Sequence, residues 1–190
     1  MRDENQPAPH DVTPSMNKIS SLLAAGALVA AASLLVPSTA PVASAAATAT
    51  VPGCRNADLH ARYRATDNGA GHAYGRIVLT NVARHACRTG GFGGLSYVGG
   101  GNGTQVGAPA SRDGRSAGSF VLRPGQRAIS RVDEVRAANY DAATCRPRRV
   151  DGFRIYVPNA TRSQFVAHRT TGCANPSVHL TSHTAYRTAG

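Results

Sequence analysis

Beyond residue 53 the chain never holds the apolar spacing of an α-helix for more than about six residues. Its apolar side chains instead alternate with polar ones in short runs, cut off by glycine, proline and asparagine. Leu59, Ala61 and Tyr63 alternate with His60, Arg62 and Arg64. Ala128, Ser130 and Val132 alternate with Arg127, Ile129 and Arg131, and Phe153, Ile155 and Val157 with Arg154 and Tyr156. A period of two sends successive side chains to opposite faces of a strand, so each run is a half-buried strand. A chain with such runs and no helical ones has to close as layered sheets.

In chain order, residues 59–64 form the first strand and Asp67-Asn68-Gly69 a turn. Residues 73–82 form the next strand, apolar on both parities at Ile77-Val78-Leu79 and therefore central. Residues 84–94 are a loop into a strand at 95–98, residues 99–103 a hairpin tip, and residues 104–118 polar loop with at most a short edge strand. Phe120-Val121-Leu122 and the run from Arg127 are two strands joined at Pro124-Gly125, a pair that fits a type II turn. Residues 135–144 carry a short helical turn, Phe153–Val157 a strand stopped by Pro158, Phe165 and Ala167 another, and Val178 and Leu180 the last. The expected architecture is an all-β antiparallel β-sandwich of seven to eight short strands.

Four cysteines, Cys54, Cys87, Cys145 and Cys173, are widely spaced with no C-x-x-C, which favours two disulfides over a metal or redox site. Of the three possible pairings, Cys54–Cys87 and Cys145–Cys173 each join the start of a strand group to the loop that closes it. Residues 16–45 supply the oxidising destination. After Met16 come Lys18, an Ala/Leu/Val run to Val36, Pro37 and a small-residue end at Ala43-Ser44-Ala45, the order of a signal peptide cleaved after Ala45. Asp3, Glu4 and Asp11 suit such a leader poorly, so Met16 reads as the true start. Residues 19–36 just reach the lower limit for a membrane span, but the run is Ala-rich and interrupted. The division is then 1–45 signal peptide, 46–53 disordered spacer, and 54–190 a single secreted domain, with the membrane involved only through the transient leader.

Several pieces occur in a recognisable order: Cys54-Arg-Asn-Ala-Asp-Leu59, Gly71-His72 before a strand, Leu79-Thr-Asn81, and Cys87 followed by Gly-Gly-Phe-Gly-Gly94. Leu122-x-Pro-Gly125 and Cys145 near Ile155-Tyr-Val-Pro158 complete the set. This resembles the domain-of-unknown-function 4232 family, a group of secreted actinobacterial domains, over about residues 54–185. The resemblance implies an immunoglobulin-like sandwich, export and disulfides, and no catalytic residues. Where the family has Gly-Tyr/Phe-Pro-Gly, this chain has Gly91-Phe-Gly-Gly94, which loses a proline and its rigidity.

Signals for catalysis are poor, and the expectation is a protein that is not an enzyme and takes no cofactor or metal. Gly94-Leu-Ser-Tyr-Val-Gly99 has one residue too many for a nucleophile elbow and no following helix. Asp133 and Glu134 are neighbours on a strand and point to opposite faces, so they cannot act as paired carboxylates. The glycine clusters at 90–94 and 99–103 open no helix after a parallel strand, so they are turns rather than phosphate loops. His179 and His183 on a strand stand roughly 13 Å apart, too far to share an ion. His60, His72, His85 and His168 are scattered and read as surface residues.

The charge balance carries what functional content there is. The leader takes two of the 21 basic residues and three of the 10 acidic ones, leaving 19 arginines against 7 acidic groups. Alternation turns Arg127, Arg131 and Arg154 outward on what read as neighbouring strands, with Arg62 and Arg64 near the N-terminus and Arg148 and Arg149 in a loop. Arginine's planar fork binds phosphate and carboxylate bidentately. An exported basic sandwich, envelope-associated, suits an anionic cell-wall polymer, a lipid headgroup or an acidic protein. Export and few aromatics argue against nucleic acid. The alternative is that the arginines serve solubility and reflect coding bias. A second functional reading is a secreted proteinase inhibitor that presents Arg88, beside Cys87, or the 112–115 loop as bait.

Overall fold

The computed structural model describes residues 50–189 except Ala117. The expected leader, its Met16 start and residues 46–49 lie outside the described residues. Among the described residues twelve strands run in chain order: β1 Leu59–Gly69, β2 His72–Asn81, β3 Cys87–Thr89, β4 Gly94–Gly99, β5 Thr104–Gln105 and β6 Ser111–Asp113 come first. Then follow β7 Phe120–Leu122, β8 Arg127–Val135, β9 Pro147–Tyr156, β10 Ser163–Cys173, β11 Thr181–Thr184 and β12 Arg187–Thr188. Their pairing makes a six-stranded sheet in the order β1-β2-β8-β11-β6 with β12 also on β8, a four-stranded sheet β10-β9-β4-β5, and a small β3-β7 sheet. Among the described residues, helix is confined to single turns at Asn56–Asp58, Ala137–Asn139 and Ala142–Cys145. The domain is a disulfide-stapled all-β sandwich.

Seven of the twelve strands, β1, β2, β4, β7, β8, β9 and β10, fall where the sequence placed them; the last strand, expected at Val178 and Leu180, begins only after those residues, as β11. The other four, β3, β5, β6 and β12, have two or three residues each, too few for a period to show. One of these, β6, pairs parallel to β11 and so departs from an all-antiparallel plan.

The core lies between the two larger sheets. Leu59, Ala61, Ile77, Leu79, Ala128 and Val132 come from one side; Leu95, Tyr97, Val150, Phe153 and Ile155 come from the other. Cys54 bonds Cys87 and Cys145 bonds Cys173, the pairing expected from the strand grouping. Pairing begins before the first cysteine: Pro52 O accepts from Arg88 N (2.7 Å), and Gly53 bridges Arg88. The expected spacer therefore ends short of residue 52.

Two turns differ from the sequence expectation. The β1–β2 turn is Ala70-Gly71, both at positive φ (48° and 79°), with Gly69 opposite His72. Asp67-Asn68-Gly69 stays in the strand because a bulge between Ala65 and Asp67 absorbs one residue. Pro124-Gly125 does form the turn: Gln126 N donates to Arg123 O (3.0 Å), and Gly125 has φ 79°. The strands it joins are not partners, since β7 pairs with β3 and β8 with β2. Asn81 is why. It is 1% exposed, and its Nδ2 donates to Leu122 O (2.9 Å) and His85 O (3.0 Å). That amide latches β7 beside the end of β2 while β8 continues into the large sheet.

Candidate functional site

Strand register assembles a basic face on the outside of the six-stranded sheet. Arg64 stands opposite Arg76, and Arg76 opposite Arg131, so three arginines on three adjacent strands form one cross-strand row. Adjacent strands are about 5 Å apart. Arg62, Arg127 and Arg187 extend the face on β1, β8 and β12, and all six are exposed. Like charges directly opposite one another destabilise a sheet. Among the described residues, no carboxylate lies within ion-pair distance of any of the six. The face dips into a cavity of about 470 Å³ where Arg76, Arg115, Arg131 and Arg187 converge with Thr184 and Thr188; Asp113 also lines it.

The expected anion-binding set is divided by the fold. Arg127 and Arg131 lie on this face, whereas Arg148, Arg149 and Arg154 belong to β9 in the other sheet. Arg154 is therefore not a neighbour of Arg131. Its Nη2 donates to Gln105 Oε1 (2.6 Å) and its Nε is buried, so the guanidinium is not presented as an open fork. Arg149 Nε is 3.9 Å from Asp151 Oδ1. It borders an open depression of about 820 Å³ beside Phe165, a ring 61% exposed. Phe165 and Ala167 mark the outward parity of β10; the inward one is Gln164, Val166 and His168.

A second cluster, within the sandwich, is absent from the sequence reading. Glu134, in β8, is 3% exposed. Its Oε1 accepts from Tyr63 Oη (2.6 Å) and its Oε2 from Tyr97 Oη (2.5 Å) and His168 Nε2 (2.8 Å). β1, β4, β8 and β10 thus each contribute one side chain. Burial pushes the Glu134 carboxyl up, but hydrogen bonds from His168, Tyr63 and Tyr97 and the His168 charge outweigh it and hold it below the usual range. The same contacts and burial raise both phenols. Because the carboxylate is ionised, His168 Nε2 carries the proton, and its ring lies flat on Phe153 (centroids 4.7 Å, interplanar angle 3°). His168, expected at the surface, is in fact turned inward. Alternation alone places Glu134 in phase with Ala128, Ser130 and Val132; its three partners come from strands far away in sequence.

The remaining histidines do other work. His183 is buried in β11, with Nδ1 3.3 Å from Ser130 Oγ. Burial lowers its pKa; a backbone bond at Thr184 opposes that and Arg112 adds to it. His179 precedes that strand and is exposed, so the two do not share one strand face as the spacing implied. His72 Nδ1 is 2.7 Å from Asp133 Oδ1 at the surface. Among the described residues, no group of three His, Cys, Asp or Glu is placed to hold a metal ion, and no helix is long and apolar enough to cross a membrane.

Fold, staples and charge define a small domain of two larger sheets and a short third one, with an arginine-rich face on the six-stranded sheet. The family described as Domain of unknown function (DUF4232) matches residues 54–186, and the chain belongs to it. No curated protein and no solved structure matches the chain. Two residues of the motifs quoted from the sequence have structural roles here. Asp58 Oδ2 accepts from Arg55 N (2.7 Å), closing the turn after Cys54, and Asn81 is the latch described above.

Proposed function

We propose that this is an exported, non-enzymatic binding module that holds an anionic polymer of the cell envelope across the outer face of its six-stranded sheet. The observation that carries the reading is the Arg64–Arg76–Arg131 row, three like charges in register with no acidic partner among the described residues. Such a row costs stability unless a ligand supplies the counter-charge. A sheet presenting arginines from adjacent strands about 5 Å apart suits a repeating phosphate or carboxylate chain better than a single small ion. The 470 Å³ cavity among Arg76, Arg115, Arg131 and Arg187 would seat one such group.

Retention of the protein on a cell-wall fraction and on immobilised polyphosphate, measured against sodium chloride, tests this. Arg76→Ala with Arg131→Ala is expected to weaken retention about tenfold or more. Arg148→Ala, Arg149→Ala and Arg154→Ala together should change it little. Equal loss from both sets, or no loss from the first, overturns the reading. The inhibitor reading gains no support. Arg88 lies in β3 with its amide bonded to Pro52 and its carbonyl to Cys54 N, and Arg112 lies in β6 over the Phe92 ring (5.5 Å).

A further inference from the structure

Between the sheets, on the side where β1 and β10 form their outer edges, the sandwich opens into a cavity of about 580 Å³. Further along, Gln164 clamps the same two strands: its Oε1 accepts from Ala61 N (2.9 Å) and its Nε2 donates to Leu59 O (2.6 Å). Past that clamp each strand carries a bulge, at Ala65/Asp67 in β1 and at Ala167/Thr170 in β10. A bulge bends its strand and steepens its twist, so the two edges part. Ala65, His168, Arg169 and Thr170, which stand at the bulges, all line the space that results.

The lining falls into three zones. Glu134, Tyr63, Tyr97 and His168 line the polar part, where the carboxylate is already satisfied by three donors and almost wholly covered. Ala65, Ala73, Ala137, Ala138, Ala142 and Pro147 make an apolar wall of small groups, with Tyr74 and Tyr140 beside it. Arg136 and Arg169 are the exposed charges. Arg136 uses one nitrogen on Asn68 Oδ1 (2.9 Å), and Arg169 has no acidic partner among the described residues. The volume lies within the range of small-molecule sites, and the accessible charge is positive because the single lining carboxylate is buried.

We propose that this cavity binds a small amphipathic anion, its apolar body against the alanine wall and its carboxylate or phosphate group between Arg136 and Arg169. The site is separate from the arginine row on the outer sheet face, and either can fail without the other.

Calorimetric titration of the protein with octanoate, 1-octanol and octylamine at equal chain length tests it. Octanoate is expected to bind, with the alcohol weaker by about tenfold and the ammonium weaker still. Arg136→Ala with Arg169→Ala, both exposed and outside the core, should bring octanoate down to the level of the alcohol. Ala138→Trp, an exposed position on the cavity wall, should block all three ligands while leaving the circular dichroism spectrum unchanged. Arg76→Ala with Arg131→Ala should leave octanoate binding as it was. Octylamine binding as tightly as octanoate, octanoate binding unaffected by Ala138→Trp in a folded variant, or no octanoate binding at all would each overturn the proposal.

Discussion

Glu134 shows how one side chain can organise the interior of a sandwich. A charged group in the core is tolerated only when paired and hydrogen-bonded, and here three donors from three other strands converge on it. Glu134→Ala leaves two phenols and an imidazole without an acceptor, and is expected to cost about 3–5 kcal/mol in urea denaturation. The pH dependence follows from the sign of the shift. The folded carboxyl titrates below its ordinary 4.5, so its contribution is present above that pH and is lost as pH falls through the lowered folded value. Glu134→Gln should therefore flatten the acid limb of the stability curve; an unaltered limb would show that another group governs it. Much of this was legible in the residues: β8 alternation puts Glu134 inward and Asp133 outward. Tyr63, Tyr97 and His168 were not, because neighbours from strands distant in sequence leave no trace in a local period.

At the scale of elements, the long strands were readable, and of those with two or three residues only β7 was. β2, β8 and β9 each span nine or ten residues, long enough for a face to declare itself. β3 and β7 have three residues each, and the Pro124-Gly125 turn between β7 and β8 looks like a hairpin until the Asn81 latch assigns β7 to another partner. The Gly91–Gly94 loop has a similar lesson. A Cβ placed on Gly93 would run into Tyr156 O, a backbone atom, so this position is packed against β9. Gly93→Ala is expected to destabilise by roughly 1–3 kcal/mol through overpacking. Unchanged stability in thermal unfolding would mean the loop shifts freely away from that strand.

For the whole molecule, the disulfides close loops with sequence separations of 33 and 28 residues. Chain entropy assigns roughly 3–4 kcal/mol to each, a large part of the net stability of a domain this size. Cys54→Ala with Cys87→Ala should lower urea stability by about that amount, and a loss well under 1 kcal/mol would show that β3 is held without its staple.

The in-register arginine row has a last consequence. Three uncompensated guanidinium groups on adjacent strands push the sheet apart from within, and mobile counter-ions dampen that push over a Debye length of about 8–10 Å. Added sodium chloride should then raise the melting temperature of the protein and, on the proposed function, weaken its retention on polyphosphate. The same dissolved ions that calm the scaffold would compete with the proposed polymer, so firmness and grip would trade against each other with the saltiness of the surroundings.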